Sequence, residues 1–291
     1  MANNDFQARE VDAGKPTSAR LYHYYLTGEP VYRSDQLFAD RVYEELPFLH
    51  TWAVHNRAFL ARAVRFMVSR GVRQFLDIGS GLPTGGNTHE IARAIVPDTR
   101  VVYVDKDLDA VARAHQLLRA ENSLDITAII EGDLLEPDRI LEHPEARRLL
   151  DFAQPIGLLI VSVLPFIPDD SNPHRVVAAL RDRLPTGSYF ASTHVSLDDA
   201  DDQTKQQIAA AAALYQATAD PVQLRDRNAF TRFFDGFTVH EPPGVTYATD
   251  WLPEAPVDVG DPARPCNFAA VGQKVCPLAS TEVEAEPKSA P

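Results

Sequence analysis

The chain has 291 residues, 45% of them hydrophobic and 24% charged, and its 41 acidic against 28 basic side chains give a formal charge of −13. That composition is globular rather than fibrous, the length suits one large α/β domain with an addition, and the acidic excess offers no attraction to nucleic acid or an anionic bilayer. No window holds the roughly 18 to 20 apolar residues of a membrane span, so the sequence reads as soluble and cytoplasmic, with no nucleic-acid or membrane partner.

Residues 1–15 and 279–291 are polar and are predicted to be disordered tails. Residues 16–70 are predicted helical, most clearly over Phe48–Arg70, where Trp52, Phe59, Ala63, Phe66 and Met67 recur at helical spacing before Gly71 ends the run. From Gly71 to residue 278 the pattern is that of a sheet domain. Near-continuous apolar runs at Gln74–Ile78, Arg100–Val104, Asp125–Ile130 and Ile156–Val163 read as strands buried on both faces. Helical stretches at Thr88–Ile95, Leu108–Arg119, Asp138–Leu150 and Pro173–Leu184 alternate with them, and Ser188–Val195 is a fifth strand.

Strict alternation implies a parallel sheet with right-handed crossovers. Two further helices, Gln203–Ala217 and Arg225–Phe234, precede the strands Phe237–Glu241 and Asn267–Lys274, which close the sheet as an antiparallel pair. The proline-rich stretch 242–265 is predicted to be an irregular surface loop. Cys266 and Cys276, with no Cys-x-x-Cys spacing and no nearby His, read as free thiols in a reducing compartment, and no metal site is expected. The expected architecture is doubly wound α/β, a mostly parallel seven-stranded sheet with helices on both faces and an N-terminal helical addition.

Three strand ends carry chemistry. The first run ends in Asp77 and is followed by Gly79, Ser80 and Gly81, where glycines let the backbone turn tightly and approach a ligand. The second ends in Asp105, 26 residues after Gly79, near the spacing at which a nucleotide-binding βαβ unit puts a carboxylate on ribose hydroxyls, with Lys106 next to it. The alternative for Asp105 is an N-cap for the next helix. The third, Glu131-Gly-Asp133-Leu134, offers Asp133 to an adenine amine and Leu134 to its ring, and its alternative is again a turn or cap acid.

A dinucleotide fingerprint would need a third glycine where Leu-Pro-Thr stands, and Asp77 would repel a pyrophosphate. A carboxylate there suits the ammonium of a methionine moiety, so S-adenosylmethionine, with S-adenosylhomocysteine as product, is favoured over a nicotinamide cofactor.

On these motifs the chain resembles class I S-adenosylmethionine-dependent methyltransferases. More narrowly, Lys15–Tyr22, His55–Leu60, Gln74–Thr84, Asn87-Thr-His-Glu90 and Gly187-Ser-Tyr-Phe resemble the actinobacterial S-adenosyl methyltransferase family, formerly a domain of unknown function. The resemblance runs from about residue 11 to 274. It implies a Rossmann-like methyltransferase fold, in which residues 16–70 form a lid and Ser162 joins the cofactor site. The chain departs from the family pattern at His23–Gly28 and at Leu164-Pro165. Those departures carry a second reading, a non-catalytic cofactor-binding regulator; a nicotinamide oxidoreductase is a third.

Methyl transfer from a sulfonium is an in-line displacement, so a base is optional. Candidate catalytic residues are His194, after the fifth strand, and Tyr22, in the aromatic cluster Tyr22-His-Tyr-Tyr25 that could also meet the sulfonium. Structural roles are the alternatives for both. Arg20 is a candidate for a charge-assisted bond to the cofactor carboxylate. Asp198–Asp202 lacks the ligand spacing of a calcium loop and reads as a solvated acidic start to the next helix. No Asp-Pro-Pro-Tyr strand end occurs at Val161–Phe166, which argues against a nucleic-acid amino-methylating enzyme. The expected acceptor is a small molecule, uncharged or cationic, taken by a monomer or homodimer.

Overall fold

The computed structural model describes residues 12–275. The predicted tail at 279–291, residues 1–11 of the other tail, and Cys276 lie outside the described residues.

Five strands form the parallel body of the sheet: β1 (Gln74–Ile78), β2 (Arg100–Asp105), β3 (Thr127–Glu131), β4 (Gly157–Val161) and β5 (Tyr189–Val195). They lie in the order β3-β2-β1-β4-β5. Leu76 stands between Val102 on one neighbour and Leu158 on the other, so both faces of β1 need cover. Side chains alternate across the pleat. Leu76, Ile78, Val102 and Val104 enter one core with α6 (Pro137–Glu142), α7 (Pro144–Leu149), α8 (Pro173–Arg183) and α10 (Arg227–Thr231). Phe75, Val101 and Tyr103 enter the other with α3 (Leu49–Ser69), α4 (Thr88–Arg93) and α5 (Leu108–Ala120).

Three predictions are corrected. The stretch Asp138–Leu150 is two helices, because Pro144 has no amide hydrogen and His143 instead caps α7 through its ring nitrogen on Glu145 N. The segment 242–265 is not all surface loop: β7 (Thr246–Tyr247) pairs with β8 (Asn267–Gln273), and Trp251 is fully buried against Phe59 and Phe66, each 5.4 Å away between ring centres. The predicted strand Phe237–Glu241 is only β6 (Thr238–Val239). Among the described residues the sheet has eight strands in the seven expected positions, since β6 and β7 share the free edge of the antiparallel β8.

Residues 16–70 do fold into helices, α1 (Ser18–Thr27), α2 (Arg33–Glu45) and α3, but not as a separate body. Tyr25, Phe38, Val42 and Leu49 share a third core with Ile208 and Tyr215 of α9 (Asp202–Tyr215) and with Cys266. This helical cap is fastened to the loop after β2: Thr17 donates to Asp107, and Tyr32 donates to Asp109 over 3.1 Å.

Trp251→Ala is expected to cost about 3–5 kcal/mol, the usual loss for a buried tryptophan. Urea unfolding measures it, and a cost near zero would put that indole at the surface.

Candidate functional site

The loops that leave the carboxyl ends of β1 to β4 converge, as expected of an open parallel sheet. Gly79 has a φ of +71°, and a Cβ there would stand 2.3 Å from Val163 Cγ2, so only glycine lets the loop after β1 press on the loop after β4. Its amide donates to Val104 O at 2.8 Å, which turns the chain towards β2. The Gly81 amide then donates to Asp105 Oδ2 at 2.7 Å, and the Asp107 amide donates to Asp105 Oδ1 at 2.8 Å. The capping alternative for Asp105 falls away, because Asp107 caps α5 by accepting from the Asp109 and Ala110 amides.

Both strand-end carboxylates are almost out of water. Asp105 is 5% exposed and Asp77 is 6% exposed, and burial pushes each carboxyl up to about 6. Asp77 accepts from Thr88 Oγ1 at 2.7 Å. The segment Asn87-Thr-His-Glu90 thereby acquires a purpose. Asn87 and Glu90 form a capping box on α4, Thr88 orients Asp77, and His89 bonds to the Tyr103 hydroxyl.

Asp77, Gly79, Ser80, Gly81, Asp105, Lys106, Asp133, Leu134, Ser162 and Tyr22 all line one cavity, with about 1530 Å³ of empty space that includes its opening to solvent. Asp133 Oδ1 accepts from Leu135 N at 2.9 Å, so the turn role is realised alongside its place in the wall. Lys106 Nζ is 2.6 Å from Asp220 Oδ1, and Asp220 also accepts from the Ser18 amide at 2.8 Å, which ties α1 to the end of β2. Ser162 holds a φ of +60°, a strained value for a side-chain-bearing residue, while its amide donates to Thr193 Oγ1 at 2.9 Å.

Two candidates lie elsewhere. Arg20 is fully buried under the cap, paired with Asp35 at 3.2 Å and Asp109 at 3.4 Å and stacked on Tyr32, so it has no free hydrogen-bonding edge for a cofactor. His194 is 1% exposed and absent from the cavity lining. Its Nδ1 donates to Val195 O, its Nε2 accepts from Arg225, and burial drives its imidazole down to about 3, a neutral structural histidine. Tyr22 lines the cavity, but its hydroxyl donates to Ala53 O and accepts from Asn56, and burial raises the phenol above its ordinary value. It is not a base. The acidic run 198–202 is also more than solvated: Asp201 caps α9, and Asp199 meets Arg227 and Tyr247.

Arg57 on α3 was not singled out by the sequence, although it sits in the family-like segment His55–Leu60. It lines the cavity, spends one nitrogen on Gly85 O and Asn87 Oδ1 at 3.2 Å each, and leaves a buried Nε–H without a partner. The Ser80 hydroxyl is likewise buried and unpaired. Only the third contacts of a fold reveal such a residue, since helical periodicity shows a face and not what the face meets.

These donors and acceptors fit a ligand bearing an ammonium, a carboxylate and vicinal hydroxyls. A family model for S-adenosyl methyltransferases matches residues 4–275. The structure is similar to a DUF574 family protein from Streptomyces avermitilis MA-4680, at 33% identity and a TM-score of 0.84, over 91% of this chain and 100% of that one. It is similar also to a methyltransferase candidate from Thermobifida fusca YX, at 36% identity and a TM-score of 0.83, over 91% of this chain and 97% of that one. The S-adenosylmethionine-dependent methyltransferase SibL, at 16% identity and a TM-score of 0.50 over 90% of this chain and 64% of that one, shares the fold alone. No curated protein matches. The chain belongs to the S-adenosyl methyltransferase family, and its cofactor is S-adenosylmethionine.

Proposed function

We propose that the protein methylates a small molecule, with Asp77, Gly79, Ser80, Gly81 and Arg57 at the methionine half of the cofactor, Asp105 at the ribose, and Asp133 and Leu134 at the adenine. The observation that carries this reading is the convergence of two buried carboxylates, only partly compensated by their hydrogen bonds, with the unpaired Ser80 Oγ and Arg57 Nε in one cavity. An ammonium satisfies Asp77, vicinal hydroxyls satisfy Asp105, and a carboxylate satisfies Arg57. Lys106 serves this site indirectly, through Asp220, by holding α1 down.

When bound, the cofactor supplies an electrophilic methyl group on a sulfonium. The chain's own residues position and dry the site. Residues 16–70 act as the lid, supported by the fastening of α1 and α2 to the loop after β2, and their closure excludes water from the cavity. With His194 walled off and Tyr22 committed to Ala53 and Asn56, the chain's part would be to hold the acceptor in line with the donor's methyl–sulfur bond and keep water out, so that placement supplies the rate. A cytoplasmic setting is in keeping with the buried free thiol of Cys266 and with the lack, among the described residues, of any helix long and apolar enough to cross a membrane.

Calorimetry with S-adenosylhomocysteine tests the donor site. The ligand needs both carboxylates ionised, and at pH 5 only about a tenth of each group titrating near 6 is ionised, so affinity should fall about tenfold per carboxylate from pH 7.5 to pH 5. Asp105→Asn should weaken binding at pH 7.5 and remove one of the two steps; a flat profile would refute the assignment. In the free protein the sign is opposite. The raised carboxyls bind protons more tightly in the native state, so their contribution to stability falls as pH rises from 3.8 to about 6.

The two arginines should separate cleanly. Arg57→Ala is expected to weaken S-adenosylhomocysteine binding by about 10- to 100-fold, the worth of a hydrogen bond to a charged group, with little change in stability. Arg20→Ala should instead cost about 3–5 kcal/mol in urea unfolding, as an orphaned buried carboxylate does. Loss of affinity without loss of stability in the Arg20 variant would restore it to the site.

A further inference from the structure

Towards the helical cap the cavity changes character. Its charged lining residues, Asp77, Asp105, Lys106, Asp133 and Arg57, all belong to the donor end. The other end is walled by α1, α2, the first turn of α3, α9 and the short turn after β4, through Tyr25, Val42, Leu49, Ile208, Tyr215 and Phe166. Among the described residues lining that end, none is a histidine, carboxylate or amine. A charged guest would lose its hydration there and meet no counter-charge, whereas a ring would meet aromatic walls on several sides.

The polar groups of this compartment are few, and most are satisfied. Tyr22 and Asn56 bond to each other, and Cys266 Sγ donates to Pro262 O at 3.0 Å. The exception is the Tyr25–Tyr215 pair. Their hydroxyl oxygens are 2.6 Å apart, and the two side chains belong to residues 3% and 8% exposed. Two hydroxyls carry two hydrogens, and the bond between them uses one. Among the described residues neither oxygen has another hydrogen-bond partner, so the second hydrogen is an unspent donor in the wall of an apolar chamber. Buried donors are ordinarily paired, and here the missing partner is an oxygen brought by the guest.

We infer that the methyl acceptor is a neutral, ring-bearing molecule with a hydrogen-bond-accepting oxygen seated on the Tyr25–Tyr215 hydroxyl pair. The inference rests on the reading of the strand ends as the donor half of the cavity, because that reading leaves the capped half to the acceptor. It specifies the acceptor where sequence and family specify only methyl transfer. Acids, phosphorylated compounds and free amino acids are excluded from the substrate class by the same uncharged wall.

The full-length protein, saturated with S-adenosylhomocysteine, is titrated with three fluorescent naphthalenes. Prodan is neutral and carries a ketone oxygen, N-phenyl-1-naphthylamine is neutral and carries no oxygen, and 1-anilinonaphthalene-8-sulfonate is an anion of similar size. The expected result is saturable binding of one prodan per chain with blue-shifted emission, at least tenfold tighter than the sulfonate. The double substitution Tyr25→Phe and Tyr215→Phe should weaken prodan fivefold or more while leaving N-phenyl-1-naphthylamine within twofold. Ala212→Trp, in the same wall but outside the pair, should abolish binding of both neutral probes and leave S-adenosylhomocysteine affinity unchanged, so a misfolded double variant does not leave the pair as the only handle.

Sulfonate binding as tight as prodan, or prodan binding indifferent to both sets of substitutions, would overturn the inference. Prodan binding without any S-adenosylhomocysteine binding would instead strike the donor-site reading.

Discussion

Two carboxylates at the ends of adjacent strands have to be kept from water, and the architecture around them answers that constraint. Among the described residues no arginine or lysine bonds to Asp77 or Asp105; backbone amides and one threonine hydroxyl are their direct partners. Such partners orient a carboxylate but compensate its charge only in part, and burial therefore prevails and raises both carboxyls to about 6. A protein shaped by stability alone would place neutral side chains here. The strain is useful because a ligand with an ammonium and two hydroxyls supplies what the protein withholds, which converts a folding cost into binding energy.

The glycines follow from the same constraint. Gly79 permits the contact with Val163 that closes the floor under the site, and Gly81 turns its amide onto Asp105. The helical cap supplies the remaining wall, and it is not held by apolar contact alone. Arg20 with Asp35 and Asp109, Lys106 with Asp220, and the Ser18 amide on Asp220 pin α1 across the carboxyl edge of the sheet. One end of the resulting cavity is charged, the end proposed for the donor; the other is apolar and bears one unspent hydroxyl hydrogen.

The parallel strands were legible in the sequence because strands buried on both faces are apolar at nearly every position, as Phe75-Leu-Asp-Ile78 and Val101-Val-Tyr-Val104 are. The acids that end them were legible too, since three strand ends carrying acids beside a glycine loop support one another where any one alone could be a cap or turn acid. Trp251 was not, because a lone aromatic among prolines has no period, and its burial depends on Phe59 and Phe66 of α3, far away in the sequence. Arg20 and His194 failed for a related reason. Nothing local distinguishes an arginine facing a cofactor from one facing Asp35, or a strand-end histidine in a cleft from one capped by Arg225. Arg57 was hidden in the same way, its role fixed by loops that meet only in the folded chain.

Carboxyls pushed up to about 6 by burial imply that Asp77 and Asp105 are partly protonated in the free protein and that the ligand ionises them. Proton release on binding S-adenosylhomocysteine, measured by calorimetry at pH 6 in two buffers of different ionisation enthalpy, tests it directly. With each carboxyl half-protonated at that pH, release of about one proton per chain is predicted, vanishing by pH 8. Binding with no linked protons at pH 6, or with proton uptake, would contradict it.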